Sequence, residues 1–155
     1  MLILQNKTIY SYIHCKTLMG RILAIDYGQK RVGLAVTDEL QLIATGLDTV
    51  HVKDIWSYLH DYLIKENVDC IVIGEPKDLM NRPSDSTRFI EPFVKGLTKK
   101  FPNVKVKRFD ERFTSKIALD TMITGGLSKS KRQNKALVDQ ISATLILQSY
   151  MDSIN

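Results

Sequence analysis

Two apolar runs, Ile22-Leu23-Ala24-Ile25 and Val32-Gly33-Leu34-Ala35-Val36, are split by the polar stretch Asp26-Tyr27-Gly28-Gln29-Lys30-Arg31. The first, Arg21–Asp26, is short and almost wholly apolar, which predicts a strand buried on both faces. The second, Arg31–Thr37, follows a tight turn and should pair antiparallel with it. A weaker third strand is expected over Leu42–Val50, with Gly46 as a bulge. Ile55, Trp56, Leu59, Tyr62 and Leu63 recur at helical spacing, predicting a helix over Asp54–Glu66 with one apolar stripe.

Asp69–Gly74 reads as a second buried strand, and the polar, proline-containing segment 75–85 as a loop. A helix over about 85–100, kinked or restarted at Pro92, leads to a third core strand, Val104–Phe109. Thr114 is placed to cap a helix that stops at Gly125-Gly126. Ser130-x-x-Gln133 has capping-box form and opens a final helix to about Met151. Strands joined by helical crossovers must lie parallel, whereas the opening strands form a meander. The pattern therefore predicts an α/β fold: a mixed sheet with helices on both faces.

At 155 residues the chain fits one domain, here 19–155. Met19-Gly20-Arg21 directly precedes the first strand, so residues 1–18, which show no clean periodicity, are expected to be a disordered or non-native extension. No run approaches the ~20 apolar residues of a membrane span. Two cysteines are too few for a disulfide framework, and a reducing cytoplasm is the natural setting. Charge changes the picture more. Residues 95–135 carry twelve Lys and Arg against three acids, a net +9, in a chain whose total is only +5. Such asymmetry points to an electrostatic footprint for a polyanion, with a solvated face kept for solubility as the lesser alternative.

The candidate chemistry is a set of carboxylates. Asp26 ends the first strand, Glu111 follows the last, and Asp139 lies on the final helix. Functional crevices of open α/β sheets lie beyond the carboxyl ends of the strands, so Asp26 and Glu111 project toward one edge, which Asp139 can join. Singly, each has an ordinary explanation: turn chemistry for Asp26, a charge-paired strand end for Asp110-Glu111-Arg112, and an ion pair with Lys135 for Asp139. The last helix is expected to bury Val138, Ile141, Ser142 and Leu145. Hard oxygen donors without nearby Cys or His suit Mg²⁺ or Mn²⁺ rather than zinc, the histidines (14, 51 and 60) being placed away from this edge.

Three segments carry a family resemblance. Asp26-x-Gly28-x-Lys30-Arg31-x-Gly33-x-Ala35-Val36-x-Asp38 resembles the opening motif of the YqgF family, also called RuvX, within the RNase H-like superfamily. Asp110-Glu111-Arg112-Phe113-Thr114-Ser115 resembles its Asp-Glu-Arg-x-Thr-Thr segment. Lys135-x-x-x-Asp139-x-x-Ser142-Ala143-x-x-x-Leu147-Gln148-x-Tyr150 resembles its C-terminal helix. The matches run in order over residues 20 to 151.

The resemblance implies an RNase H-like five-stranded sheet and a divalent-metal-dependent nuclease. Family members are associated with maturation of the 5′ end of 16S ribosomal RNA, and were earlier proposed as Holliday-junction resolvases. It carries over Asp26, Glu111 and Asp139 as metal ligands, and Lys30 and Arg31 as phosphate contacts. Basic residues Arg82, Arg112, Lys129, Lys131, Arg132 and Lys135 are further candidates for holding the nucleic acid. Glu75 stands where an apolar residue is expected, and is either a fourth acid of the site or an incidental loop residue. An rRNA precursor is favoured over a DNA junction, with ribosomal subunit proteins as conceivable partners and a monomer or homodimer as the assembly. A catalytically silent binding module of the same fold is the main rival; a sugar-kinase-type phosphate domain would need a second such domain.

Overall fold

In the computed structural model, which describes residues 19–75, 87–110 and 114–154, the opening runs form β1 (Arg21–Tyr27) and β2 (Arg31–Thr37). They pair antiparallel with Asp26 opposite Gly33. β3 (Ala44–His51) extends the meander, then α1 (Ile55–Lys65) crosses to β4 (Val68–Glu75). α2 (Thr87–Lys100) leads to β5 (Lys105–Asp110), followed by α3 (Thr114–Thr124), α4 (Lys129–Gln133) and α5 (Lys135–Ile154). The strand order is β3-β2-β1-β4-β5, with β1, β4 and β5 parallel. This is the expected mixed five-stranded sheet, antiparallel in its opening strands and parallel in the rest.

Alternation along β1 sorts the two sides of the sheet. Leu23 and Ile25 join Val32, Leu34, Ile71 and Ile73 under α1 and α2, which contribute Ile55, Leu59, Ile90, Phe93 and Leu97. Ile22 and Ala24 join Ala35, Cys70 and Val72 under α5, which contributes Ala143, Ile146, Leu147 and Met151. The α5 side is built from smaller residues on the strands. A helix can therefore lie close to β1 and β2 there.

Several boundaries differ from expectation, each for a local reason. β3 starts at Ala44 because the Asp38 carboxylate accepts the N–H groups of Leu40, Leu42 and Ile43, which binds that stretch into a turn. The register of β2 on β3 shifts between Leu34, opposite Asp48, and Ala35, opposite Gly46, so the bulge lies where Gly46 predicted it. α2 runs through Pro92 without restarting. β5 is an edge strand rather than a core strand: Lys105 and Lys107 are exposed and Val106 is only partly buried.

The capping box over Ser130 is also corrected. Ser128 caps the short α4, its hydroxyl accepting the Lys131 N–H at 3.4 Å. Asn134 caps α5, its side-chain oxygen accepting the N–H groups of Ala136 at 3.1 Å and Leu137 at 3.3 Å. Replacing Asn134 with Ala should cost about 1 kcal/mol, read as a lower midpoint in urea unfolding. The phase of α5 shifts as well. It buries Ser142 as expected, but Ala143, Ile146, Leu147 and Met151 fill its inner face, and Val138, Ile141 and Leu145 are only partly covered.

No helix among the described residues is long and apolar enough to cross a membrane. Residues 1–18 lie outside the described residues.

Candidate active site

Asp26 follows Ile22 and Ala24 on the α5 side of β1, at the carboxyl end of the strand. The first turns of α5 are fastened over that end by three contacts. The Thr49 hydroxyl, on β3, donates to the Ala136 carbonyl at 2.7 Å. The Arg31 Nε–H, on β2, donates to Asp139 Oδ2 at 2.7 Å. Between them Gly33 lies directly beneath the Asp139 backbone: a Cβ built on Gly33 would stand 2.6 Å from the Asp139 carbonyl carbon and closer still to its oxygen. Thr49 and Gly33 are themselves paired across β2 and β3. A glycine at this point of β2 thus lets a helix backbone touch the sheet.

Asp139 is brought beside Asp26 in this way, across 113 residues of sequence. The electrostatics record the proximity. Burial, and secondly the Asp139 charge, push the Asp26 carboxyl up to about 6. Arg31 compensates Asp139, so the uncompensated charge at this edge belongs to Asp26. Replacing Arg31 with Gln should leave two carboxylates facing each other without a cation. The apparent pKa of Asp26 should then rise further, seen as a shift of its carboxyl resonance in an NMR titration.

The two carboxylates suit a hard divalent cation. They supply oxygen donors only, and the partly buried, like-charged Asp26 is a group whose ionised form a cation would favour. Among the described residues no three His, Cys, Asp or Glu side chains converge as a metal cage. Glu111, the third expected ligand, lies outside the described residues, as do Arg82 and Arg112. Lys30 is exposed in the β1–β2 turn, Lys131 and Arg132 lie in the last turn of α4, and Lys135 is the exposed first residue of α5. Asp139 is paired with Arg31 rather than with Lys135.

Two placements could not be read from the chain. Glu75 follows Ile71 and Ile73 on the α2 side of β4, where its carboxylate accepts from Arg108 Nη1 at 3.1 Å; Arg108 also binds Glu91 on α2. Glu75 is therefore turned to the face opposite Asp26. His51, expected away from this edge, stands opposite Arg31 at the end of β3, on the edge itself. Its ring Nδ1 accepts the Lys53 N–H at 3.2 Å. The steric role of Gly33 was likewise missed, although the alternation of Gly33 and Ala35 on one face of β2 was a usable signal.

A model of the RuvX family, described as Holliday junction resolvase, matches residues 20–153. The chain belongs to the RuvX family. A relative from Flavobacterium psychrophilum is 56% identical over 133 residues, covering 86% of this chain and 97% of that protein. One from Bacteroides thetaiotaomicron is 54% identical over 135 residues, covering 87% and 98%. Both carry the name "Putative pre-16S rRNA nuclease". Among solved structures, Thermus thermophilus RuvC bound to a Holliday junction aligns with a TM-score of 0.48 at 18% identity, covering 87% of this chain and 95% of that one.

Proposed function

We propose that this chain is a divalent-metal-dependent nuclease whose substrate is the 5′ end of a 16S rRNA precursor. The observation that carries the proposal is the convergence of Asp26 and Asp139 at the carboxyl edge of the sheet, with Asp26 held near the top of the range in which a carboxylate ionises. The names of the relatives support the choice of substrate. Asp26 and Asp139 would hold Mg²⁺ or Mn²⁺ together with Glu111. The bound cation supplies activation of water at neutral pH and neutralisation of charge on the phosphate.

The chain's own residues do the rest. Arg31 holds Asp139 in place and keeps a positive charge beside the reacting phosphate. Lys30, on the exposed turn, and Lys131, Arg132 and Lys135, at the junction of α4 and α5, contact the backbone of the strand without reading its bases. Arg82 and Arg112 join them as phosphate contacts. The cytoplasm, where ribosomal precursors are processed, is the corresponding location, with subunit proteins as partners.

The test is a cleavage assay on a short RNA spanning the mature 16S 5′ end, on single-stranded DNA and on a four-way DNA junction, with Mn²⁺ or with EDTA. Metal-dependent cutting of the RNA, lost in the Asp139→Asn protein, is the expected result. Symmetric cutting of the junction alone would replace the rRNA reading by the resolvase activity in the family's description. No cutting of any substrate would leave a nucleic-acid-binding module.

A further inference from the structure

The basic surface of this chain extends to a part of the sheet not yet given a role. On β5, Lys105, Lys107 and Phe109 stand opposite Cys70, Val72 and Gly74 of β4. Cys70 and Val72 belong to the α5 side of the sheet, so the two lysines share that side with Asp26. The helix does not cover them. α5 packs on β1, β2 and β3 and reaches β4 more sparingly, while both lysines are exposed. Their charge is felt beneath: burial pushes the Cys70 thiol up, against the pull of Tyr150, Lys107 and Lys105. Phe109 packs edge-on against Tyr150, with ring centroids 6.0 Å apart, and closes the strip toward the helix.

The other side of β5 gives the contrast. There Arg108 is neutralised by Glu75 and Glu91. Lys105 and Lys107 have no ion-pair partner among the described residues. Residues two apart on a strand are about 6.6 Å apart, close to the separation of successive phosphates in an extended single strand. Phe109 stands nearest the carboxyl edge, two strands or about 10 Å from β1, and the strip runs back from it through Lys107, level with Ala24, to Lys105, level with Ile22. Between Asp26 and Phe109 the intervening strand presents Gly74.

We propose that Lys105 and Lys107 form a phosphate-binding strip for single-stranded nucleic acid, continuing the substrate path from the Asp26 edge along the exposed face of β5. The proposal rests on the nuclease reading for its ligand, yet it is tested by binding alone. Lysines on an edge strand also guard against strand-to-strand association, and that role would give no dependence on RNA length or salt.

The experiment measures fluorescence anisotropy of labelled single-stranded RNAs of about 4 and about 16 nucleotides in EDTA, over a range of salt. The Lys105→Gln/Lys107→Gln protein is compared with the natural chain and with Lys95→Gln/Lys99→Gln, which alters exposed lysines of α2 on the opposite side. Loss of two phosphate contacts should lower the slope of log K against log salt by about 1.4 for the long RNA. The short RNA and the α2 control should keep the natural slope. An unchanged slope for the long RNA, or no RNA binding by the natural chain, overturns the strip. A changed slope in a protein that cuts nothing would keep the strip and remove the nuclease.

Discussion

Asp26→Asn is expected to abolish metal-dependent cleavage and, in the absence of metal, to make the fold more stable at neutral pH. The carboxyl of an unfolded chain titrates near 3.9, whereas Asp26 in the folded protein titrates at about 6. Below about pH 4 both states hold the proton and the difference has no effect. Between about pH 4 and 6 the unfolded chain has ionised while folded Asp26 still holds its proton beside Asp139, so stability falls across that range and the loss is complete once pH has passed about 6. Two pKa units correspond to about 3 kcal/mol, an upper figure for the gain of the Asn protein above pH 7. Thermal unfolding in EDTA from pH 4 to 8 should show the natural chain losing stability between about pH 4 and 6 and no more from this group above that, with the variant changing less across the same range. Cleavage should move the other way. Removing one ligand of a catalytic cation forfeits several kcal/mol of charge stabilisation, on the order of 10²–10³-fold in rate or more. A variant both more stable and inactive distinguishes a functional carboxylate from one that holds the fold together.

Gly33→Ala has the second largest expected effect. Its Cβ would meet the Asp139 carbonyl, so α5 must lift from β2 or the strand must yield. Overpacking of this kind costs about 1–3 kcal/mol. The functional loss should be greater than the stability loss suggests, because a displacement near 1 Å in a reacting group costs about 10²-fold. Leu59→Ala supplies the comparison. Leu59 is fully buried on α1, across the sheet from the site, and its truncation should cost about 2–5 kcal/mol. The rate per folded molecule of the Leu59 variant should stay near the natural value, while that of Gly33→Ala falls. Equal losses in the two proteins would remove the steric argument for Gly33.

The contrast between these positions also shows what the chain disclosed in advance. The sheet was legible because its strands are apolar runs with polar ends: Ile22–Ile25, Val32–Ala35 and Ile71–Ile73 are buried as read. Asp26 was legible as a carboxylate at the end of such a run. Details decided by side chains bonding to backbone were harder. Asp38 delays β3, and Ser128 and Asn134, rather than Ser130, open the two last helices.

Hardest were relations between distant segments. Lys135 was the nearest cation to Asp139 along its helix, but Arg31, 108 residues away, is the one that binds it. His51 lies on the edge, and Glu75, for which both readings stood open, lies on the opposite side of the sheet, for a similar reason. A strand's alternation turns Glu75 to the α2 side, and antiparallel pairing sets His51 opposite Arg31. Local spacing contains neither fact.

The most direct test of the central claim is calorimetric titration of Mn²⁺ into the natural, Asp26→Asn and Asp139→Asn proteins at pH 7.5. Saturable binding by the natural chain, lost or greatly weakened in both variants, is the predicted result. Binding that survives both substitutions unchanged, or no binding by the natural chain, would contradict the assignment of this edge as the metal site.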